Sequence, residues 1–509
     1  MEPATLITFI IYLVGMLAIG VIAYRMTSNL SDYVLGGRRL GGGVAALSAG
    51  ASDMSSWLLL GLPGYAYVAG MEAIWISVGL AVGAYLNWQF VATRLRKYTE
   101  IAGDSITVPD FLENRFRDKS KALRVISAFV ILIFFAFYTS SGLVGGAKLF
   151  EASFGFSYTQ ALWIGAIVII SYTFLGGFLA VSWTDFFQGI LMFIALILVP
   201  IVAISEMGGW SETVNAVGNV NPEFLDVFNG VTALGIISLA AWGLGYFGQP
   251  HIITRFMAVK SSKEIPKARL VGMTWMVLAL MGAIFTGFVG IAYFSANGPA
   301  DAIADGAHET VFILFTQLLF NPWVSGFLLA AILAAIMSTI DSQLLVSSSA
   351  ITEDFYKAIF RKNASQTELV WVGRSGVILI AIIAIVLAYD PDRSILELVS
   401  YAWAGFGAAF GPVIILALFW RRMTRNGALA GMVVGAVTVV VWKLLSTPPI
   451  DPVTEQSMAQ ADAVIPFALY EIVPGFILAW LAIMVVSLVG KEPSKEILEE
   501  FDSVKTSKI

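Results

Sequence analysis

Apolar residues fill thirteen long runs along the chain, and short polar segments separate these runs. A run of about 20 apolar residues is long enough to cross a bilayer as a helix. The pattern therefore predicts thirteen membrane-spanning helices, with approximate limits 5–24, 43–69, 73–93, 123–149, 157–180, 183–204, 231–254, 269–294, 310–349, 369–389, 394–420, 426–446 and 466–490. We expect no soluble domain to be inserted between them.

The composition fits this interpretation and excludes several classes of protein. Of the 509 residues, 58% are hydrophobic and 13% are charged, and the mean hydropathy is +0.82. A soluble domain of this size does not have that balance, so we predict an all-α polytopic membrane protein. The chain has no cysteine, which excludes disulfide bonds and thiolate metal sites. The basic residues lie in short loops between spans, and nothing indicates nucleic-acid binding.

The positions of the basic residues also predict the orientation of the chain in the membrane. All but three of the 30 Lys and Arg residues follow the odd-numbered spans 1, 3, 7, 9, 11 or 13. The positive-inside rule makes that side cytoplasmic, so the N-terminus is expected outside and the C-terminus inside. The predicted outside loops 205–230, 295–309 and 447–465 contain no Lys or Arg. The ninth run is too long for one straight helix, and we expect a cytoplasmic extension there.

Two spans are interrupted by residues that weaken a helix interior. Span 2 carries the small polar stretch SAGASDMSSW followed by GLPG, and span 7 carries AAWGLGYFGQPHI. Interrupted helices in corresponding positions of two halves indicate an inverted-repeat transporter. The small-hydroxyl clusters YTSSG in span 4 and MSTIDS in span 9 are also five spans apart. The alternative is that these small residues only mark close helix packing.

The distance of five spans between the paired features predicts the organisation of the whole chain. Spans 2–6 and 7–11 form two five-helix repeats, and spans 1, 12 and 13 are peripheral. The predicted units are 1–40 (first peripheral helix and cytoplasmic loop), 41–206 (repeat 1), 207–422 (repeat 2), 423–490 (peripheral helices 12 and 13) and 491–509 (cytoplasmic tail).

Polar residues at the interruptions predict a cation site. Asp53 is the only acid well inside span 2, where a charge costs several kcal/mol, roughly 2.5–3.5 on insertion scales. Ser338, Thr339 and Asp341 lie in span 9. Na⁺ prefers oxygen ligands, which hydroxyls and the carbonyls of an unwound helix supply. The alternative for Asp53 is a protonated carboxyl group hydrogen-bonded to nearby backbone.

Aromatic residues gather at the same interruptions and predict a pocket for a small, partly apolar solute. They are Trp57, Tyr138, Trp242, Tyr246 and Phe247. Each of them taken singly is also compatible with ordinary core packing.

Three further polar residues receive weaker interpretations. Asp185 is expected in a cytoplasmic turn after span 5, as a helix cap or at a helix N-terminus. His251 follows Pro250 and is a candidate cavity residue, and His308 is expected to be exposed.

Five stretches resemble a known family of transporters. The chain is similar to the sodium/solute symporter family, and most similar to its bacterial sodium/proline branch, in the stretches SAGASDMSSWLLLGLPG, GGFLAVSWTDFFQ, GLGYFGQPHIITRFMA, AAIMSTIDSQLL and SYAWAGFGAAFGP. The resemblance implies the fold of leucine-type transporters, with ten core helices in two inverted repeats. One departure is Ser56, which stands where proline relatives typically have glycine. Another is Asp341, which is not universal among proline carriers.

The resemblance also implies the roles of particular residues. The implied sodium ligands are the backbone carbonyls of Ala51, Met54 and Ala335 and the hydroxyls of Ser338 and Thr339. The implied substrate site is formed by Ser55, Trp57, Tyr138, Trp242, Tyr246 and Pro250. Asp53 would support sodium coupling from close by rather than as a direct ligand.

The implied activity is import of L-proline with Na⁺ by alternating access, in the bacterial cytoplasmic (inner) membrane. The expected partners are proline, Na⁺ and the bilayer, with no obligate protein partner. The alternatives are another solute (pantothenate, a sugar or a short carboxylate), a channel, or a transport-linked sensor. A channel needs a continuous selectivity lining and a sensor needs a signalling domain, and the sequence indicates neither. No nucleophile–base pair or cofactor motif indicates an enzyme.

Overall fold

A computed structural model describes residues 3–24, 30–175, 177–228, 231–297, 303, 307–448, 463–466 and 469–507. Throughout these ranges the regular structure is helical, and the only strand-like contact among them is an isolated bridge between Leu40 and Val259. Apolar residues of the helices form one large core cluster. The predicted all-α class is confirmed.

The described residues of the first half of the chain form ten α-helices. They are α1 (Pro3–Tyr24), α2 (Leu30–Leu35), α3 (Gly42–Asp53), α4 (Leu62–Ala69), α5 (Ile74–Leu86), α6 (Ala92–Ile101), α7 (Val108–Phe116), α8 (Ala122–Phe154), α9 (Tyr158–Leu175) and α10 (Phe178–Glu206). π-helical turns join α3 to α4 and α5 to α6, at Trp57–Gly61 and Asn87–Val91.

Eleven more lie in the part of the second half that the structure describes. They are α11 (Trp210–Val220), α12 (Ala233–Ala240), α13 (Pro250–Ala258), α14 (Ile265–Asn297), α15 (Val311–Leu319), α16 (Pro322–Ser349), α17 (Gln366–Leu387), α18 (Ile395–Phe419), α19 (Arg425–Ser446), α20 (Ile472–Val489) and α21 (Lys495–Thr506). Wider π-helical turns, Ala350–Phe360, continue α16.

Ten helical stretches of the described chain are long and apolar enough to cross a membrane, and two shorter apolar ones, Tyr158–Ile170 and Ala233–Gly248, accompany them. The chain is therefore a multi-pass membrane protein. One of the ten, Trp57–Ile101, covers parts of two predicted spans, because the chain turns at Gly70 with φ 66° and ψ −142°. A side chain is rarely tolerated at such a φ. The total of thirteen stays a prediction.

Span 2 is interrupted, but not at its glycines. Helix α3 runs through Gly50 and ends at Asp53, and Met54 leaves the helical conformation with φ −82° and ψ 74°. Pro63 lies in the first turn of α4, where proline needs no N–H partner. Gly64 lies so close to the backbone of Glu309 that a Cβ atom would come within 3.0 Å of it. The glycine therefore serves packing here, and the break itself covers Met54–Ser56.

Span 7 is interrupted as predicted. Helix α12 passes into the 3₁₀ segment Ala241–Gly248, Gln249 is extended, and α13 begins at Pro250. A Cβ atom on Gly245 would lie 1.9 Å from Nε1 of Trp403, so α18 can approach this segment only because of the glycine.

Two predicted boundaries are wrong. Helix α9 ends at Leu175 and α10 begins at Phe178, not near residue 183. Asp185 is therefore inside α10 and fully buried, rather than a cap in a turn. The ninth span begins at Pro322 rather than near residue 310, because α15 is a separate helix and Asn321 caps a new one. The expected extension of this span is present as the π-helical turns Ala350–Phe360, which continue α16 beyond residue 349.

Charges distinguish the two ends of the helix bundle. At one end, which we call the basic end, Arg38 binds the Met257 carbonyl, and the C-terminal helix α21 docks through the Arg117–Glu496 and Arg421–Asp502 ion pairs. At the opposite end lie the start of α18 and the short helix α15.

Candidate ion and substrate site

The interruption of span 2 faces the small-hydroxyl cluster of α16. The Ser338 hydroxyl donates to the carbonyl oxygens of Ala51 at 2.8 Å and Ala335 at 3.1 Å, and the Thr339 hydroxyl lies 3.3 Å from the Ala51 oxygen. Carbonyls in the last turn of a helix lack an intrahelical partner, and α3 ends just after Ala51. Four of the five predicted sodium ligands thus meet at one point, and their oxygen chemistry suits Na⁺.

The fifth predicted ligand, Met54, is the first residue beyond α3. Its N–H donates to the Gly50 carbonyl at 2.8 Å, which completes the last helical turn. Its side chain lines a small cavity together with Asp53 and Tyr246. The structure brings Met54 to the interruption without showing a contact from its carbonyl to the α16 hydroxyls.

Asp53 is buried and anchors three aromatic side chains. Its carbonyl accepts hydrogen bonds from Trp57 Nε1 at 3.0 Å and from the Tyr138 hydroxyl at 3.1 Å. Its carboxyl Oδ2 accepts a hydrogen bond from the Tyr246 hydroxyl, and Oδ1 has no hydrogen-bond partner. Asp53 therefore joins both interrupted spans to α8.

A stack of indole rings adjoins this point. The rings of Trp57 and Trp242 are 6.0 Å apart, and the rings of Trp242 and Trp403 are 6.4 Å apart. Trp403 Nε1 donates to the Trp242 carbonyl at 2.7 Å, and the Tyr246 ring meets Trp403 edge-on at 5.0 Å. Trp403 belongs to this wall but was absent from the predicted site, although its motif, SYAWAGFGAAFGP, carried part of the resemblance.

Ser55 and Pro250, the two remaining predicted substrate residues, lie outside the group of indole rings. The Ser55 hydroxyl accepts a hydrogen bond from the Trp57 N–H at 3.3 Å, so Ser55 lies in the interruption itself. Pro250 begins α13 and lines a separate small cavity of about 10 Å³ with Thr254 and Asp354.

His251 is the second residue that the sequence underrated. Its ring is fully buried, 5.9 Å from the Tyr138 ring and 5.6 Å from the Phe135 ring. Both ring nitrogens lack a hydrogen-bond partner, whereas most buried polar groups have one. The imidazole can therefore offer a hydrogen bond to a bound molecule next to Tyr138.

A buried charge cluster lies beyond the hydroxyl cluster, toward the basic end. Arg255 of α13 donates to Asp185 at 3.0 Å and to Ser48 at 3.1 Å, and it also contacts Ser342. Asp341 is buried beside them, with no hydrogen-bond partner for either carboxyl oxygen. Asp341 is thus close to the predicted ion site, but it makes none of that site's hydrogen bonds.

The space beside Asp53 is small in this conformation. The cavity lined by Asp53, Met54 and Tyr246 has a volume of about 20 Å³, enough for about one water molecule. Asn87 closes it by donating to the Tyr246 carbonyl at 2.8 Å. The interruptions therefore pack tightly against each other, and a solute the size of an amino acid requires them to separate.

The interrupted helices, the oxygen cluster and the indole wall together are features of an ion-coupled carrier, and comparison with known proteins identifies its family. Residues 33–435 match the sodium:solute symporter family. The chain belongs to this family. The match covers α3 to α18 and both interruptions.

Relatives resemble this family member over nearly their whole length. The sodium/proline symporter of Salmonella typhimurium is 54% identical over 496 residues, which cover 97% of this chain and 95% of the relative. The high-affinity proline transporter PutP of Bacillus subtilis is 54% identical over 487 residues, which cover 96% and 98% of the two chains.

Solved structures share the fold at much lower identity. A Na⁺-coupled sialic acid symporter in a substrate-bound outward-open state matches with a TM-score of 0.79 at 20% identity, over 97% of this chain and 99% of that chain. Mhp1, a transporter of the nucleobase-cation-symport-1 family, matches with a TM-score of 0.54 at 14% identity, over 93% and 99%. These likenesses concern the fold alone.

Proposed function

We propose that this protein imports L-proline together with Na⁺ across the bacterial cytoplasmic membrane. The proposal is carried by relatives that are about half identical along nearly the whole chain and are named as sodium/proline symporters and proline transporters. The indole wall of Trp57, Trp242 and Trp403 agrees with it, because flat apolar faces suit a compact ring better than a polyol.

We assign the ion and substrate roles to the residues that meet at the two interruptions. Na⁺ binds between α3 and α16, to oxygens of Ala51, Met54, Ala335, Ser338 and Thr339. Proline binds between the interrupted spans, against Ser55, Trp57, Tyr138, Trp242, Tyr246 and Pro250. Asp53 couples the two sites, because its backbone and side chain contact three of the substrate residues while Ala51 lies two residues away.

Coupling follows from the shared interruption of span 2. Na⁺ on the free carbonyls of α3 fixes the conformation of Met54–Ser56, to which the aromatic wall is attached. The positive charge gains about 2.3 kcal/mol per 100 mV, and a tenfold Na⁺ gradient adds about 1.4 kcal/mol. Together they sustain roughly a 500-fold proline gradient if one Na⁺ accompanies each proline.

The topology belongs to the same proposal. It has thirteen spans in two inverted repeats with three peripheral helices, the N-terminus outside and the C-terminus inside. The clustering of basic residues supports the cytoplasmic assignment of the basic end. Because the chain has no cysteine, single cysteines can test it: Lys491→Cys should react with an impermeant maleimide only after the cells are opened, and Glu212→Cys should react in intact cells. The reverse result would contradict the orientation.

The activity is tested with purified protein in proteoliposomes. We expect accumulation of radiolabelled L-proline when Na⁺ is higher outside, and none when choline replaces Na⁺. Excess unlabelled proline should abolish uptake, whereas pantothenate, sugars and short carboxylates should not compete. Accumulation driven by a proton gradient alone would contradict sodium coupling. If another solute competed more strongly than unlabelled proline, that solute would be the preferred substrate.

A further inference from the structure

The opposite end of the bundle carries very few basic residues, and those it has lie together. They are Lys148, Arg393 and Lys443, the three Lys and Arg residues that do not follow an odd-numbered predicted span. Lys148 contacts Glu309 at 2.7 Å and the Arg393 carbonyl at 3.3 Å, and Lys443 contacts Glu397 at 3.0 Å. Basic residues are rare on this side of membrane proteins, so their concentration around the start of α18 calls for a physical reason.

A cavity of about 290 Å³ lies between α8, α18 and α19 at this place. Its floor is apolar: the rings of Phe137 and Tyr401 meet edge-on at 5.0 Å, and Leu398 lies beside them. Its outer side is formed by Val440 and Leu444 of α19, of which Leu444 is 71% exposed. In a membrane-spanning helix such an exposed apolar side faces acyl chains.

The rim of the cavity is charged with both signs. Arg393 and Lys443 supply two positive charges, and Glu397 supplies a negative one. Arg393 also lies 3.5 Å from Asp390. Both ion pairs are largely exposed, and such pairs contribute little to stability, so either partner can exchange its contact for a ligand at small cost.

The rim lies at the level of the membrane interface. Lys443 is in the last turn of α19, and Glu397 is in the first turn of α18, where Ser394 caps the helix. Long charged side chains at such ends reach toward the headgroups while their stems lie along apolar surface. An occupant of this cavity therefore has an apolar part on the membrane side and a polar part that carries both charges.

We propose that this cavity binds a zwitterionic phospholipid whose headgroup carries a primary ammonium group. Its phosphate contacts Arg393 and Lys443, its ammonium group contacts Glu397, and an acyl chain lies along Phe137 and Leu444. An anionic headgroup without an amine leaves Glu397 unmatched. A choline headgroup has no N–H to donate to this carboxylate.

The location gives the lipid a mechanical consequence. The cavity joins the beginning of α18 to the end of α19, and Arg393 directly precedes the Ser394 cap that Glu309 also contacts. A bound lipid therefore links α18 to α19 beside the residues that Glu309 contacts. The proposal does not depend on which solute is carried.

The test is native mass spectrometry of the full protein, purified in detergent and mixed with equal amounts of phosphatidylethanolamine, phosphatidylcholine and phosphatidylglycerol. We expect the ethanolamine lipid to be retained in preference to the other two. The variant Arg393→Ala/Lys443→Ala should retain less of the ethanolamine lipid by about twofold or more, because two exposed contacts to its phosphate are removed.

Two further variants separate the proposal from general effects. Lys260→Ala/Arg421→Ala removes two similarly exposed positive charges at the basic end and should keep the preference. Glu397→Gln retains the helix-capping geometry and should bind the ethanolamine and choline lipids equally. This ratio is measured on molecules that are folded, so a loss of stability does not mimic it.

Three results would overturn the proposal. One is equal retention of all three lipids by the unmodified protein. Another is a preference for phosphatidylglycerol, which would show that the rim of the cavity recognises the phosphate group and not the ammonium group. The third is unchanged retention of the ethanolamine lipid by the Arg393→Ala/Lys443→Ala variant, which would place the lipid elsewhere on the protein.

Discussion

Asp53 holds three aromatic side chains around the interruption of span 2. Its carbonyl binds Trp57 and Tyr138, and its carboxyl group binds Tyr246, which belongs to the other interrupted span. The sequence singled out Asp53 because it is the only acid well inside span 2. The pattern of residues could not indicate that the backbone oxygen of Asp53 is used as much as its carboxyl group, because those contacts come from distant helices.

Removing the charge of Asp53 tests its coupling role. We expect Asp53→Asn to lower Na⁺-driven proline uptake by about tenfold to a hundredfold, since a hydrogen bond to a charged group contributes about 1.5–3 kcal/mol. Tyr246→Phe removes the same hydrogen bond and leaves the carboxylate buried without it, so it should lower uptake by a similar factor. Initial rates in proteoliposomes measure both. Uptake by Asp53→Asn at the unmodified rate would remove Asp53 from the mechanism.

The Ser338 hydroxyl contacts the carbonyl oxygens of both Ala51 and Ala335. We expect Ser338→Ala to raise the Na⁺ concentration for half-maximal uptake by about tenfold, because one oxygen ligand of a hard cation is lost. Thr286→Val is the matched control, since the Thr286 hydroxyl is also buried but bonds only within its own helix, to Gly282. An unchanged Na⁺ dependence in Ser338→Ala would contradict the site.

At the scale of helices, the sequence predicted which spans are interrupted, and span 2 breaks inside the predicted small polar stretch but not at its glycine. Glycine and proline residues correctly predicted that spans 2 and 7 are interrupted. However, Gly50 stays helical, and the conformation changes at Met54. A glycine in a packed helix allows close approach of a neighbour, as Trp275 approaches Gly50, and this effect looks the same in a sequence as a break. The α9–α10 boundary was misplaced because apolar residues continue across the turn.

The half-helix α13 is joined to its neighbours by the buried pair of Arg255 and Asp185. Removing one partner leaves a buried charge without compensation, which costs about 3–5 kcal/mol. We therefore expect Arg255→Ala to lower the thermal unfolding temperature of the purified protein strongly. The double variant Arg255→Met/Asp185→Leu should recover much of the loss, because no unpaired charge of the pair remains.

The recovery is the informative part of this experiment. If Arg255 acted only by filling space, Arg255→Met alone would already restore stability, and neutralising Asp185 would add nothing. A double variant less stable than Arg255→Ala would show that the pair does not act as a unit. The sequence could not predict this pair, since nothing in a single span indicates its charged neighbour in another.

At the scale of the whole molecule, the sequence predicted two differently charged ends but not how the opposite end is closed. The buried carboxylate of Glu309 accepts four hydrogen bonds, from Lys148 of α8 and from the hydroxyl and N–H groups of Ser394, Ile395 and Leu396 at the start of α18. These residues are far apart in the chain. Glu309 thus caps α18 and fixes the segment that leads into α15, which covers the Trp57–Gly61 turn.

We therefore expect Glu309 to control access to the site from the opposite end. Glu309→Gln keeps one acceptor oxygen but places an NH₂ group where the other oxygen accepts hydrogen bonds. The loss of charged hydrogen bonds, about 1.5–3 kcal/mol each, should raise the population of open molecules by about tenfold or more. Leu60 is fully buried in the covered turn, and the chain has no other cysteine. Leu60→Cys should consequently react faster with a water-soluble maleimide when Glu309→Gln is also present.

The matched control for this measurement is Glu223→Gln, an exposed acid outside the contact. It removes the same charge and should leave the labelling rate of Leu60→Cys unchanged. Na⁺ and proline together should slow labelling in the Glu309→Gln background, because a bound solute favours the conformation in which α15 covers the site. A labelling rate that is the same with Glu309 and with Gln at this position would show that α15 is held by its apolar contacts alone, and that the carboxylate only caps α18.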